Sequence, residues 1–130
     1  MRQFLTFVNG GPFQYAIAAG LALPDAFYAD AAAGLRRKRD LMADGLRSAG
    51  FEVFVPQGTY FITTDIAALG ESDGLEFCLS LPRRCGVVAV PNVVFYDDRD
   101  AGRTQVRFAF CKRDGVLVEA ADRLGRLRAH

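Results

Sequence analysis

Apolar and polar positions alternate most clearly near the end of the chain. Over Gln105-Val106-Arg107-Phe108-Ala109-Phe110-Cys111-Lys112, a period of two puts Val106, Phe108 and Phe110 on one face and Arg107, Ala109 and Cys111 on the other. This predicts a strand with one side against a core. Upstream, Phe13 to Leu23 is rich in helix formers, follows Pro12 and has Gln14 as its only strongly polar side chain, which predicts a helix. A second, longer helix is predicted from Asp25 as N-cap, along the stripe Tyr28, Ala31, Ala32, Leu35, Met42, Leu46 and Ala49, to a stop at Gly50. Two short β-rich runs follow, 51–55 up to Pro56 and 59–65 after the turn at Gln57-Gly58. Ser72-Asp73 opens a helix through Leu75, Cys78 and Leu79, with Glu76 placed to answer Asp73 and Pro82 set to kink or end it near Arg83. Gly86 then releases Val87-Val88-Ala89-Val90, an apolar run of the buried-strand type stopped by Pro91. Phe95-Tyr96 lies on a turn-prone segment, and residues 97–103 form a polar loop. Asp114 is placed to cap a last helix with Leu117, Ala120, Ala121, Leu124 and Leu127 on one stripe.

That order of elements predicts an α/β fold, a two-layer sandwich in which helices cover a small, largely antiparallel sheet. The first helix does not fit comfortably inside it. Being apolar almost all round, it calls for burial against something larger than a 130-residue chain, the other reading being a central core helix. Hydrophobic residues make up 51% of the chain and charged ones 24%, a composition that excludes disordered and fibrous classes. A net charge of +1 offers no field for nucleic acid, and Arg36-Arg37-Lys38-Arg39 points around its helix beside Asp40 and Asp44. Arg39 falls on the apolar stripe, where it must snorkel or meet a carboxylate. No apolar run reaches membrane-spanning length and Met1-Arg2 lacks signal architecture, so a cytoplasmic location is the default. Cys78, Cys85 and Cys111 have no metal or thioredoxin-type spacing, and the only histidine is His130. Histidine-based nucleophile systems and metal sites therefore lack their central part.

The candidate chemistry sits at Arg107. A guanidinium in mid-strand between apolar neighbours must find an anion or bear several kcal/mol of desolvation. An internal Asp or Glu would satisfy it, and so would a ligand carboxylate or phosphate, which suits arginine's planar fork. Gly58-Thr59-Tyr60 is a second place where glycine could let backbone approach a ligand, but a hairpin or turn accounts for it equally well.

The residues around Arg107 extend the picture. Gly86-Val87-Val88-Ala89-Val90-Pro91, Phe95-Tyr96, and Val106-Arg107-Phe108-Ala109-Phe110-Cys111-Lys112 resemble, in order and spacing, the C-terminal part of class I/II pyridoxal-phosphate aminotransferases. The branch they most resemble contains the kynurenine, methionine and N-succinyldiaminopimelate enzymes. Gly58-Thr59-Tyr60-Phe61 and Phe4-Leu5-Thr6-Phe7 with Gln14 carry the likeness over nearly the whole chain. The resemblance implies the small domain of the fold type I aminotransferases. It implies that Arg107 grips the substrate α-carboxylate, that Phe95 helps to wall the side-chain pocket, and that Phe7 reaches the active site of the neighbouring subunit of a homodimer.

It also implies pyridoxal phosphate as cofactor and an amino acid/2-oxo acid pair as substrates. Neither lysine, Lys38 or Lys112, stands in the glycine-flanked context of the family's cofactor lysine, which would belong before Met1. The chain alone is therefore expected to be inactive, with residues 1–23 linking to an absent large domain and residues 24–130 forming the small domain. The alternative is a stand-alone α/β module that binds small carboxylates or a partner without catalysis. The apolar first 22 residues favour the enzyme segment, because a free-standing module would place polar residues there.

Overall fold

The computed structural model describes residues 10–129, which form two compact units dividing between Ala33 and Gly34. In the first, helix α1 (Gly11–Leu21) starts with Pro12 in its first turn and has no buried residue. Phe13 is 73% exposed and Tyr15 82%, with Ile17 and Leu21 also open. Tyr28, near the start of helix α2 (Asp25–Ser48), donates its hydroxyl proton to the carbonyl of Gly20, and its ring meets that of Phe27 edge-on. Asp25 is the first residue of α2 and not the residue before it, a shift of one position at the boundary.

The second unit carries the sheet. Strands β1 (Glu52–Phe54), β2 (Phe61–Asp65), β3 (Val90–Pro91) and β4 (Gln105–Ala109) pair in the order β1-β2-β4-β3, every pair antiparallel. Ile62 pairs with Phe108 and Thr64 with Val106, and all four are buried. They share one hydrophobic core with Met42, Ala43 and Leu46 of α2 and with Phe77 and Leu81 of helix α3 (Gly74–Arg84). Leu117 and Leu124 of helix α4 (Asp114–Gly125) complete it. The opposite face, with the row Phe54, Thr63, Arg107 and Val90 across the four strands, is half-buried or exposed. The α/β two-layer sandwich is thus observed, with Val106, Phe108 and Phe110 turned inward as their alternation requires.

Local chemistry explains the joints. Gly50 has φ 89°, and the bonds Gly50 N–H to Arg47 O (2.9 Å) and Phe51 N–H to Leu46 O (3.0 Å) close α2 in a Schellman pattern that glycine accommodates. The Asp73 carboxylate accepts from the N–H groups of Leu75 (2.9 Å) and Glu76 (3.0 Å), capping α3. Glu76 returns no such bond, so the cap is one-sided. Pro82 sits in the last turn of α3, where the helix runs on to Arg84 and the carbonyls of Leu81 and Pro82 receive Cys85 and Gly86.

Three further expectations are corrected. Residues 87–89 are not a buried strand: Val87 and Ala89 face in while Val88 is 74% exposed, and pairing begins only at Val90. Pro91 lies inside that pairing, which a sheet edge tolerates because the missing N–H is not needed there. Asp114 does not cap α4; Arg113 occupies the cap position, and the Asp114 carboxylate pairs with Arg37, whose guanidinium lowers its pKa.

Candidate functional site

Arg107 stands on the open face of β4, between Gln105 and Ala109 on the same side. Three neighbours determine its pose. Phe61 of β2, opposite Ala109, is diagonal to it across the ladder and places its ring centroid 4.4 Å from the guanidinium carbon. The Phe95 ring, delivered by a single 3₁₀ turn (Asn92–Phe95) that follows β3, places its centroid 4.1 Å from the same carbon. The cation therefore packs on two aromatic rings, each attracting it through its quadrupole. The third neighbour is Asn92, whose Oδ1 accepts from Arg107 Nε at 2.7 Å. Asn92 is only 3% exposed, and its Nδ2 donates to Gln105 Oε1 at 3.1 Å.

This geometry assigns one of arginine's five N–H donors. Among the described residues no acceptor meets Nη1 or Nη2, and the ion pairs found involve other arginines. Of the two partners that the sequence left open for Arg107, the internal acid is absent among the described residues. With Nε taken, the two Nη groups leave an edge that matches a planar carboxylate with two parallel N–H···O bonds. Phe95, 60% exposed, flanks that edge, so Arg107 and Phe95 come together at one place. Phe7 lies outside the described residues. The sequence reading missed Phe61, Asn92 and Gln105. The signals available were Phe61 at an alternating position of a β-rich run and an amide directly after Pro91, one short turn from Phe95.

The second candidate does not gather into a site. Gly58 has open space where a side chain would stand, so no neighbour among the described residues requires a glycine there. The unusual backbone is at Thr59, with φ 64°, a left-handed conformation that a β-branched residue adopts only under strain. It turns the chain so that the Tyr60 carbonyl accepts from Phe110 N–H at 2.8 Å, extending the β2–β4 alignment. Arg39 both snorkels and pairs, bonding the Pro56 carbonyl at 3.1 Å and Asp40 at 2.7 Å. No described group of His, Cys, Asp and Glu is disposed to hold a metal, and no described helix is long and apolar enough to cross a membrane.

The profile for aminotransferase class I and II matches residues 1–124. A probable N-succinyldiaminopimelate aminotransferase, DapC, of Mycobacterium tuberculosis is 42% identical over 134 residues, covering 97% of this chain and 34% of its own length. The methionine aminotransferase of Escherichia coli is 36% identical over 135 residues, covering 98% and 33%. The solved structure of N-succinyldiaminopimelate aminotransferase from Mycobacterium tuberculosis superimposes with a TM-score of 0.88 at 46% identity, over 96% of this chain and 33% of that one. The chain thus spans about a third of the length of these relatives. It belongs to the class I and II aminotransferase family.

Proposed function

We propose that this chain is the C-terminal domain of a pyridoxal-phosphate-dependent aminotransferase, in which Arg107 holds the substrate α-carboxylate while an amino group passes between an amino acid and a 2-oxo acid. The observation that carries the reading is the pose of Arg107: stacked on Phe61 and Phe95, bonded through Nε to a neutral amide, and without an acidic partner among the described residues. A buried or half-buried guanidinium left uncompensated by its own fold is costly unless an anion completes it. A substrate carboxylate does so with two bonds on the Nη edge, and Phe95 beside that edge forms one wall for the substrate side chain.

The family's cofactor is pyridoxal phosphate, which stores the amino group and stabilises negative charge at the substrate α-carbon. The described residues do not fit it. Lys38 lies on α2 among arginines and Lys112 is exposed. Together with Arg107, Lys112 also lines a cavity of about 420 Å3 whose other walls include Val87, Ala89, Val116, Leu117 and Ala120. Arg123, which shares that cavity, is already engaged by Glu119 at 2.6 Å. The cofactor belongs in this reading to a large domain outside the chain. The exposed apolar side chains of α1 support such a partner, since patches beyond a few hundred Å2 are rare on free surfaces. In the complete enzyme, a homodimer, Phe7 reaches the neighbouring subunit's site.

Arg107→Lys in the full-length protein tests the reading. Lysine keeps the charge but loses the fork, so kcat/KM for an amino acid falls by about tenfold or more, given the roughly 1.4 kcal/mol per decade that one lost charged bond readily exceeds. Unchanged kcat/KM would overturn it.

A further inference from the structure

The two aromatic faces leave Arg107 one freedom that they cannot remove. The rings hold the guanidinium carbon 4.4 and 4.1 Å from their centroids but do not set the direction in which its N–H groups point, because the attraction of a ring for a cation depends weakly on it. The Nε bond to Asn92 sets that direction. Two features of Asn92 suit it to this task. Its amide is buried, so water does not compete for Oδ1, and its sense is determined: Arg107 Nε–H can only donate, so Oδ1 faces the arginine and Nδ2 is held on Gln105 Oε1 at 3.1 Å. Gln105 and Arg107 stand two residues apart on the same face of β4, so one strand carries both ends of the chain of bonds.

The acceptor is also uncharged. An aspartate there would make the same bond but would satisfy the cation that the substrate must satisfy. We propose that Asn92, its amide oriented by Gln105, is a positioning residue that aims the Nη edge of Arg107 at the substrate carboxylate without neutralising it. This rests on the assignment of Arg107 as the carboxylate-binding group. The amide does not touch substrate; it acts through the arginine.

The test uses the full-length protein carrying Asn92→Asp, Asn92→Leu or Arg107→Ala. Each is assayed with an amino acid and with the corresponding amine that lacks the carboxylate. Asn92→Asp is nearly isosteric and keeps the bond to Nε, yet it raises KM for the amino acid by about tenfold or more, through competition for a charge-assisted pair. It leaves kcat and the use of the amine close to wild type. Asn92→Leu raises the same KM by a smaller factor, about three- to tenfold, because only orientation is lost. Unchanged KM in Asn92→Asp, together with a selective loss in Arg107→Ala, overturns the role of Asn92 and leaves that of Arg107 standing. If Arg107→Ala itself spares the amino acid, the underlying assignment fails and takes this proposal with it. Equal losses for amino acid and amine in Asn92→Asp mean that the amide only supports the fold, which also overturns the proposal. Should Asn92→Leu fail to fold, the near-isosteric Asn92→Asp still decides.

Discussion

Helices α2 and α4 meet at Gly45 and Ala121 so closely that the contact works as a gauge of the layer beneath the sheet. A β-carbon built on Gly45 would lie 2.4 Å from the Ala121 β-carbon and 3.6 Å from its α-carbon. Carbon atoms pack best at about 3.5–4.0 Å, so Gly45→Ala forces the helices apart by roughly 1 Å at this crossing. Both atoms are tied to helical backbone, so no side chain can swing away. Overpacking of this kind costs about 1–3 kcal/mol, against about 1 kcal/mol gained from placing alanine in a helix. The net expectation is a loss of up to about 2 kcal/mol. Ala121→Gly removes the clashing atom and leaves the 3.6 Å approach, which is ordinary contact. The double variant Gly45→Ala/Ala121→Gly should therefore recover most of what Gly45→Ala loses, an exchange of the two residues across the contact. Urea unfolding of the wild type, the two single variants and the double variant gives the coupling directly. Additive effects, or a Gly45→Ala variant more stable than the wild type, would refute the reasoning.

Four other outcomes follow from particular positions. Thr59→Gly relieves a left-handed conformation that costs an ordinary residue about 1–2 kcal/mol, less about 0.5–1 kcal/mol of backbone entropy, so its urea midpoint should rise by the equivalent of about 0.5–1 kcal/mol; a lower midpoint would show that the threonine is not strained. Burial pushes the Cys78 thiol up to about 12 from an ordinary 9.0, whereas Cys111 is exposed, so iodoacetamide at pH 8 should label Cys111 in the folded chain and leave Cys78 until denaturation. Because the unfolded Cys78 thiol ionises first, stability should decline between about pH 9 and 12, and Cys78→Ala should flatten that decline. The apolar side chains of α1 should make the 130-residue chain self-associate, and Ile17→Asp should reduce the mass seen by light scattering; a monomeric wild-type chain would count against an exposed docking helix.

How far the sequence revealed this structure depends on whether a feature is local. Strand β4 was legible because alternation reports which face meets the core, and Gly50 because a helix end needs a left-handed residue close in sequence. Asp73 was read correctly for the same reason. The run 87–90 misled because four apolar residues can be buried on both faces or on one, and only the position of the strand at the sheet edge distinguishes them. The site was half legible. Arg107 and Phe95 announced themselves by charge in an apolar strand and by family resemblance, respectively. Phe61 and Asn92 join Arg107 only through strand register and through a turn that folds back over β4, and a single sequence does not disclose either. Glycine drew attention to 58 when the strained residue was 59, because turn composition marks a neighbourhood and not the residue that bears the dihedral angle.

Whether Arg107 binds the carboxylate of the substrate is decided by a pair of substrates with and without that group. In the full-length protein, kcat/KM is measured for an amino acid and for its decarboxylated amine, in the wild type and in Arg107→Ala. Removing one partner of a desolvated charged pair costs about 2–5 kcal/mol, which is roughly thirty-fold to several thousand-fold in kcat/KM. That loss is expected for the amino acid, with little change for the amine. Equal losses for both would mean that Arg107, stacked on Phe61 and Phe95, serves the fold and not the carboxylate.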